Sequence, residues 1–367
     1  MFTADEIRRM IDAAGVPLKA MILLGINCGF GNSDVAGLDV TTIDFQEGWI
    51  DYARAKTGIE RRIWADPLPS GTPLGEVTAG AAKVTGLPEG TPVILGGHDH
   101  ICGTLPVGAF RPGVVLDVTG TWESVLIAMT EPNLTPEFRK TGMWVQSHVA
   151  RGRYSAAGAT VAADMLEWFR KEFGSEAKLK AAEEGGDDWD HLMAPAAAAE
   201  PGARRVMFLP HMSGVSCPIV DQRSMGAFVG LSNRATAGDL LRAMIEGLDY
   251  QFRDILTTIE AHAAVKLDKF LAVGGATRNE FWMQNKADVL GREIEVPAVE
   301  EATPLGAAIL AGIGVGAFAD EEDAFARVYK PGKTYRPDPE LSAMYAERFQ
   351  IYQQLYAALK PIHHGLA

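Results

Sequence analysis

The chain has 367 residues and a mass of 39.4 kDa, long enough for about two or three domains with a sizeable core. A hydrophobic content of 47% and a charged content of 22% are those of a globular protein and argue against wholesale disorder. The formal net charge of −13 argues against a general binder of nucleic acid or anionic membranes, although a small anionic ligand needs only a local cluster of backbone N–H groups.

The three cysteines, Cys28, Cys102 and Cys217, are scattered, with no paired spacing. This usage predicts reduced thiols in the cytoplasm rather than a disulfide framework. The opening segment MFTADEIRRM is polar and helix-like, unlike a signal peptide. No apolar run reaches the roughly 18 residues that a membrane span needs. We therefore expect a cytoplasmic protein without a membrane segment.

The first part of the chain predicts two helices followed by a hairpin. Thr3 and Glu6 have the spacing of a capping box, which marks a helix start. The apolar segment LKAMILLGINCGF predicts a second helix. Residues 43–64 then alternate in hydrophobicity like hairpin strands, with turns at Glu47-Gly48 and Thr57-Gly58.

The chain changes character at about Trp64, where ADPLPSGTPLGEV is rich in proline and glycine and predicts a junction. An α/β pattern follows. TPVILGGHDH predicts a strand that runs into a turn, and GVVLDVTGTWESVLIAM predicts two strands separated at Gly120. TVAADMLEWFRKEF predicts a helix, whereas EGGDDWDHLMAPAAAAEPGA predicts a polar, alanine-rich loop with room for a short helix.

The longest predicted helix is TAGDLLRAMIEGLDYQFRDILTTIEAHA. Apolar residues recur along it at steps of three and four, which predicts one buried stripe. The stripe comprises Leu241, Ile245, Leu248, Phe252, Ile255 and Ile259. A strand in EIEVPA and a helix of small residues in TPLGAAILAGIGVGAF complete the pattern.

Asp99 is the first candidate functional residue, because it lies just beyond a short strand that we expect to be buried, and Gly96 and Gly97 leave room around it. Strand ends of open α/β sheets are where ligands bind, and a carboxylate there could accept a proton from a substrate hydroxyl. Two other interpretations stay open. Asp99 could cap the next helix, or His98, His100 and Cys102 could bind a metal ion.

Two glycine-containing turns are the other candidates. Gly120 and Thr121 lie between two predicted strands, and the amides and hydroxyl of such a turn can cradle a phosphate, although a plain hairpin is the alternative. In LAVGGATRNEFWMQNKADVLG, an apolar strand leads to Gly274 and Gly275, and Asn279 precedes a helix-like segment. A plain strand-to-helix turn is the alternative there.

Several segments occur in a fixed order: GTPVILGGHD, GTW, MGAFVGL, RAMIEGL, VGGATRNEFWMQNKADVLG and EATPLGAAILAG. In this order they resemble the FGGY carbohydrate kinases, which include xylulose, fuculose, ribulose and glycerol kinases. The similarity extends from about residue 68 to about residue 359. It implies an α/β fold with two lobes of the actin-like (ribonuclease H-like) type. Such lobes bind Mg-ATP and a sugar in the cleft between them, and the enzyme phosphorylates a sugar hydroxyl.

The resemblance also implies roles for individual residues. Asp99 matches the catalytic general base, and His100 lies where a neighbouring residue contacts the sugar. Gly120 and Thr121 match the turn that faces the ATP phosphates. The adenosine-binding turn is matched by Gly274, Gly275 and Asn279, where the glycines let the backbone approach the nucleotide and the asparagine can hydrogen-bond it. The last family motif is matched by Glu301, Ala302, Gly306 and Ala307, and we expect its small residues to serve helix packing more than ligand contact.

The sequence departs from the family at its start. No Asp-x-Gly-Thr or Asp-x-Gly-Ser, the family's phosphate- and metal-binding turn, occurs in the chain, and the metal ligands stay unassigned. Residues 1–65 resemble instead a tyrosine recombinase (phage integrase) catalytic-domain fragment, in which Lys56 matches a catalytic lysine but Gly31 replaces a catalytic arginine. The sequence HVAR from His148 is interpreted as a chance match. Ala163 occupies a position where the kinases often have glycine.

We therefore predict four regions: 1–65, an integrase-like α+β fragment; 66–142, a remnant of an incomplete kinase N-terminal lobe; 143–330, the nucleotide-binding C-terminal lobe; and 331–367, a helical extension. The predicted function is that of an ATP- and Mg²⁺-dependent carbohydrate kinase that phosphorylates a hydroxyl of a small sugar or polyol of the xylulose, fuculose or ribulose type. We expect no nucleic acid or membrane as a partner. A nucleotide-binding remnant without turnover and a DNA-binding integrase fragment are the alternatives. The residues do not decide between a monomer and a homodimer.

Overall fold

A computed structural model describes residues 68–262, 266–299 and 301–367 in full and, within the preceding segment, the backbone of three short strands. The chain forms two compact units, Met1–Leu68 and Pro69–Ala367. Within the described ranges, no helix is both long and apolar enough to cross a membrane.

The first unit contains β1 (Ile43–Asp44), β2 (Trp49–Ile50) and β3 (Arg61–Arg62), which form an antiparallel sheet in that order. These strands agree with the strands predicted over residues 43–64, whereas the predicted turns at Glu47-Gly48 and Thr57-Gly58 lie outside the described residues. The two predicted helices before them, as well as Gly31 and Lys56, lie outside the described residues.

The second unit is built on one mixed sheet of seven strands in the order β14-β13-β12-β6-β7-β9-β8. Strand β12 is parallel to both β6 and β13, and the other neighbouring pairs are antiparallel. Two small sheets pair β4 with β5 and β10 with β11. The strands are β4 (Pro73–Glu76), β5 (Pro92–Ile94), β6 (Val114–Thr119), β7 (Trp122–Met129), β8 (Trp144–Ser147), β9 (Tyr154–Val161), β10 (Met207–Leu209), β11 (Ala227–Val229), β12 (Lys269–Val273), β13 (Ile294–Val296) and β14 (Lys333–Tyr335).

Helices cover both faces of this sheet. They are α1 (Ala79–Thr85), α2 (Asp99–Cys102), α3 (Pro136–Lys140), α4 (Ala163–Phe173), α5 (Ser175–Glu184), α6 (Asp188–Ala198), α7 (Ala237–His262), α8 (Glu280–Leu290), α9 (Ala302–Gly314), α10 (Glu321–Val328) and α11 (Pro339–Leu366). Alternate residues of the strands enter two apolar clusters. Val115 belongs to the cluster formed with α4, α7 and α8, whereas Leu116 belongs to the cluster formed with α9 and α10. The sheet is thus buried on both sides.

The predicted stripe of helix α7 is confirmed, since all six of its apolar residues are buried. Polar residues of the same helix are buried too, including Arg242, Glu246 and Asp249. The helix packs against α6, α8, α11 and β10, so little of its surface faces water. These neighbours explain why a helix with an amphipathic sequence lies inside the molecule.

Residues 331–367, predicted to be a helical extension, pack on the main sheet and helices of the second unit. Strand β14 pairs with β13 at the edge of the main sheet, and α11 buries Tyr345, Phe349 and Tyr352 against β10 and α7. Strands on both sides of residue 142 also share this sheet. The predicted boundaries at 65, 142 and 330 stay a prediction.

Candidate active site

The two predicted glycine turns meet because the strands that carry them are neighbours. Strands β6 and β12 are parallel and pair from Lys269↔Val114 to Val273↔Val118, so their C-terminal ends lie at one edge of the sheet. Gly274 follows β12 with φ 106° and ψ 176°, a conformation that only glycine adopts readily. A β-carbon there would lie 2.4 Å from the backbone oxygen of Thr119. Gly274 thus lets the second turn pack directly against the strand end that leads into the first.

Gly275 and Asn279 have different tasks. A β-carbon at Gly275 would meet nothing within 4 Å, so this glycine faces open space. Asn279 is the N-cap of α8, and its Oδ1 accepts a hydrogen bond from Trp282 N at 3.0 Å. The capping bond uses the side-chain oxygen, which leaves the side-chain amide nitrogen of Asn279 as the group available to a ligand.

A cavity of about 690 Å³ brings Gly120, Thr121, Gly275 and Asn279 together. This volume is in the range of small-molecule sites. Gly274, in contrast, lines a neighbouring cavity of about 700 Å³, which Gly275 also lines. Four of the five residues predicted to bind ATP therefore line one cavity. The fifth, Gly274, lines the neighbouring cavity and packs against the end of β6.

One wall of the first cavity comes from the segment that we predicted to be a polar, alanine-rich loop with room for a short helix, and the structure has the 11-residue helix α6 there. Asp187 caps α6 by accepting a hydrogen bond from Trp189 N at 2.9 Å, and α6 is stabilised by packing on α7. The acidic first turn after Asp187 is a helix-start signal that could have identified it. The residues that α6 and its cap contribute to the wall are Asp187, Trp189, Asp190, Met193, Ala194 and Ala197.

The Gly120–Thr121 turn is tied to the start of helix α4. Ala163 N donates to Gly120 O at 3.2 Å, and Ala162 N donates to Thr121 O at 3.1 Å. Ala163 lines the cavity as well. Alanine at this position is thus compatible with close packing of the helix start on the turn.

Asp99 lies in different surroundings from those predicted. Strand β5, which precedes it, belongs to a small two-stranded sheet and is largely exposed, so it is not a buried strand of the main sheet. Asp99 is the first residue of α2 rather than its cap, which is His98. Its side chain is 76% exposed, and Oδ1 accepts a hydrogen bond from His100 N at 2.7 Å. This bond lowers the pKa of Asp99, and the carboxylate is therefore ionised at neutral pH.

Two histidines face Asp99 and share one glutamine. His98 Nε2 and His100 Nδ1 each lie 3.4 Å from Asp99 Oδ1. Gln146 Oε1 lies 3.3 Å from His98 Nδ1, and Gln146 Nε2 lies 3.1 Å from His100 Nε2. The amide nitrogen donates, so His100 Nε2 accepts and its Nδ1 carries the proton toward Asp99. Burial lowers the pKa of His100, which keeps this ring neutral.

The residues that could bind a metal ion differ from the predicted set, because Asp99 replaces Cys102 beside His98 and His100. Ligand atoms of His98, Asp99 and His100 all lie within 4.8 Å of one another. Cys102 is outside this group; its side chain is buried, and burial raises the pKa of its thiol. Two imidazoles and one carboxylate do not fit Mg²⁺, which prefers an all-oxygen shell. We therefore assign no Mg²⁺ ligand to this group.

Helix α9 positions α2. A β-carbon at Gly306 would lie 1.9 Å from Cys102 O, so only glycine permits this approach of the two helices. This contact supports a packing role for Gly306, whereas Ala307 of the same motif is exposed. Glu301, which precedes α9, lines the second cavity together with Gly274. The helix that carries Asp99 and the glycine turn thus both adjoin the start of α9.

His148 has a structural environment. Its Nδ1 accepts from Ala150 N at 2.9 Å, which leaves Nε2 to donate to Thr104 Oγ1 at 3.1 Å. Burial lowers its pKa to about 4. A buried, neutral histidine with both nitrogens engaged agrees with our interpretation of HVAR as a chance match.

Known proteins with similar sequences and folds agree on one family. Residues 116–315 match the C-terminal domain of the FGGY family of carbohydrate kinases. The chain is 30% identical over 349 residues to autoinducer-2 kinase from Escherichia coli K12, covering 91% of this chain and 63% of the relative. It is 27% identical to xylulose kinase from Staphylococcus epidermidis, covering 82% of this chain and 58% of the relative. The crystal structure of xylulose kinase from Rhodospirillum rubrum superimposes with a TM-score of 0.69 at 32% identity, covering 88% of this chain and 62% of that one.

A sheet covered on both faces, with two glycine turns at one edge, defines an α/β protein of the actin-like ATPase class, and the predicted fold class is confirmed. The chain belongs to the FGGY family of carbohydrate kinases. It spans less than two thirds of the length of the relatives named here. Less than a tenth of the chain is outside the alignment with autoinducer-2 kinase, so part of residues 1–65 aligns with a kinase. The integrase resemblance of that segment stays a prediction.

Proposed function

We propose that this chain is an ATP-dependent carbohydrate kinase that phosphorylates a hydroxyl group of a small sugar or polyol. The observation that carries the proposal is the cavity in which Gly120, Thr121, Gly275 and Asn279 converge from two separate parts of the sequence. The main chain and hydroxyl of Thr121 suit a phosphate, whereas Gly120 N already donates to Trp122 O at 2.8 Å. The apolar side chains of α6, including Trp189 and Met193, suit a nucleobase.

In this proposal Asp99 is the general base. Its carboxylate is ionised and exposed, so it can accept the proton of a substrate hydroxyl. The freed O–H electron pair forms the new bond to the γ-phosphorus, and the bond from that phosphorus to the β–γ bridging oxygen breaks. ATP supplies the phosphoryl group, and Mg²⁺ would enter with its phosphates. His100 directs its Nδ1 proton toward Asp99 and would help to orient the sugar.

The proposed substrates are pentuloses such as xylulose and ribulose, deoxyhexuloses such as fuculose, and polyols. One relative, a xylulose kinase, supports the first class, and another adds autoinducer-2 to the compounds to be tested. The test measures ADP release with each compound in the presence of Mg-ATP. We expect one of them to stimulate release, and Asp99→Asn to reduce the stimulated rate by about 10²- to 10⁴-fold, the usual contribution of a general base. Asp268→Asn, at an exposed aspartate, is the matched control and should retain the wild-type rate.

The absence of an Asp-x-Gly-Thr turn favours a second candidate, a nucleotide-binding protein without turnover. The two candidates differ in one measurable respect. Stabilisation by ATP together with no sugar-stimulated ADP release for any compound would support the second. An unchanged stimulated rate in Asp99→Asn would remove Asp99 from the mechanism while leaving the kinase proposal intact.

A further inference from the structure

A buried ion cluster adjoins the Gly120–Thr121 turn. Lys286 on α8 is fully buried, and its ammonium group donates to Asp117 Oδ2 at 2.6 Å and to Glu123 Oε1. Asp117 belongs to β6, which leads into the turn, and Glu123 belongs to β7, which leads out of it. Thr119 is the register partner of Glu123, and its Oγ1 donates to Asp117 Oδ1 at 2.7 Å. One ammonium group therefore holds both strands of the hairpin.

The same ammonium group connects the hairpin to the other turn. Helix α8 begins after Asn279, and both Asn279 and Trp282 line the cavity. The Lys286 nitrogen lies 4.7 Å from the ring centre of Phe252 and 5.7 Å from that of Trp282, which restricts its position. Lys286 thus joins the turn assigned to phosphates to the helix that carries the turn assigned to adenosine.

Stability alone explains this cluster poorly. Burial raises the pKa of Glu123 to about 7 and raises the pKa of Asp249, a third carboxyl group near Lys286, well above its usual value. Glu123 Oε2 is buried without a hydrogen-bond partner among the described residues. Replacing a buried ion pair by well-packed hydrophobic residues of similar volume is often neutral or stabilising, and in some proteins such a pair instead fixes one conformation.

We infer that Lys286 is a positioning residue for the nucleotide phosphates, which fixes the Gly120–Thr121 turn relative to the Asn279 end of α8. This inference rests on the proposed nucleotide site. Lys286 does not itself touch the nucleotide; it acts through the backbone of the turn. Losing it therefore weakens the contribution of the phosphates to binding and spares the contribution of the nucleoside, which the α6 wall contacts.

The test compares adenosine and ADP binding to the full chain by titration calorimetry. The variant combines Lys286→Met with Asp117→Asn and Glu123→Gln, so that neither carboxylate bonded to Lys286 is left buried and unpaired. Asp249 keeps its hydrogen bonds from Trp282 Nε1 and Asn285 Nδ2. We expect the ratio of the adenosine Kd to the ADP Kd to fall at least tenfold, with the adenosine Kd changed less than threefold. A milder variant, Thr119→Val, keeps the lysine and should lower the same ratio about threefold, which covers the case in which the triple variant does not fold.

Tyr352→Phe is the control, because Tyr352 is buried outside this cavity and loses only a hydroxyl that donates to Gln251 Oε1 at 2.7 Å. It should leave the ratio at the wild-type value. A parallel loss of adenosine and ADP affinity, or an unchanged ratio in Thr119→Val, would show a merely structural cluster and overturn the inference. Failure of the wild-type chain to bind either compound would instead overturn the proposed function, and this inference with it.

Discussion

Adding one methyl group should lower the stability of the protein at Gly274 but weaken ATP binding at Gly275, although the two glycines are adjacent. At Gly274 the new β-carbon would lie 2.4 Å from Thr119 O, and the backbone has φ 106° and ψ 176°. At Gly275 the β-carbon would meet nothing within 4 Å. Comparing the two alanine variants thus shows at which position glycine is needed for folding and at which it is needed for nucleotide binding.

The structure gives the size of each effect. Gly274→Ala combines backbone strain of about 1–3 kcal/mol with an overpacking cost of about 1–3 kcal/mol, so we expect a loss of roughly 2–6 kcal/mol in the free energy of unfolding. Gly275→Ala should change that free energy by less than about 1 kcal/mol, with a gain possible from a less flexible unfolded chain. Its methyl group, however, occupies space at the edge of the proposed nucleotide cavity.

Urea unfolding with and without Mg-ATP measures both effects. A ligand at 100 times its Kd adds about 2.7 kcal/mol to the free energy of unfolding, and every tenfold loss of affinity removes about 1.4 kcal/mol of that gain. We expect Gly275→Ala to unfold like the wild type without ATP and to lose at least half of the gain with ATP.

Two results would contradict this reasoning. A Gly274→Ala protein as stable as the wild type would show that the contact with Thr119 does not require glycine. A Gly275→Ala protein that keeps the whole gain from ATP would show that the nucleotide does not occupy the cavity lined by Gly120 and Asn279.

Three further predictions concern buried groups. The folded pKa of Glu123, about 7, exceeds its ordinary value of 4.5, so this residue makes the wild type lose stability as pH rises through that window. Glu123→Gln, which cannot titrate, should therefore gain stability relative to the wild type as pH rises from 4.5 to 7, and urea unfolding that shows a pH-independent difference would refute this. Gly306→Ala should lower the free energy of unfolding by at least about 1–3 kcal/mol and reduce sugar-stimulated ADP release, because the new methyl group pushes α9 against the helix of Asp99. The control is Gly365→Ala, whose β-carbon would meet nothing within 4 Å, and it should change neither quantity. Tyr345→Phe removes a hydroxyl that lies 2.9 Å from both Glu246 Oε1 and Asn285 Oδ1. It should lower the free energy of urea unfolding by about 1–3 kcal/mol and leave the gain from ATP unchanged. An unchanged unfolding midpoint would show that this hydroxyl contributes nothing to stability.

Features with a local pattern could be predicted from the sequence. The stripe from Leu241 to Ile259 follows from helical spacing, and the strands on either side of Gly120 follow from their apolar runs. The ordered motifs also identified the family. Such signals survive because spacing along the chain alone sets which side chains share a face or form a turn.

Features that depend on distant partners were decided only by the tertiary structure. Helix α6 has a weak local pattern, and its packing on α7 makes it a wall of the cavity. Lys286 was not singled out in the sequence, and folding brings it to Asp117, which is 169 positions away. Asp99 was expected beyond a buried strand but lies on a short helix held by α9. The physical reason is the same in each case: burial and charge pairing are properties of neighbours in space, which sequence spacing does not specify.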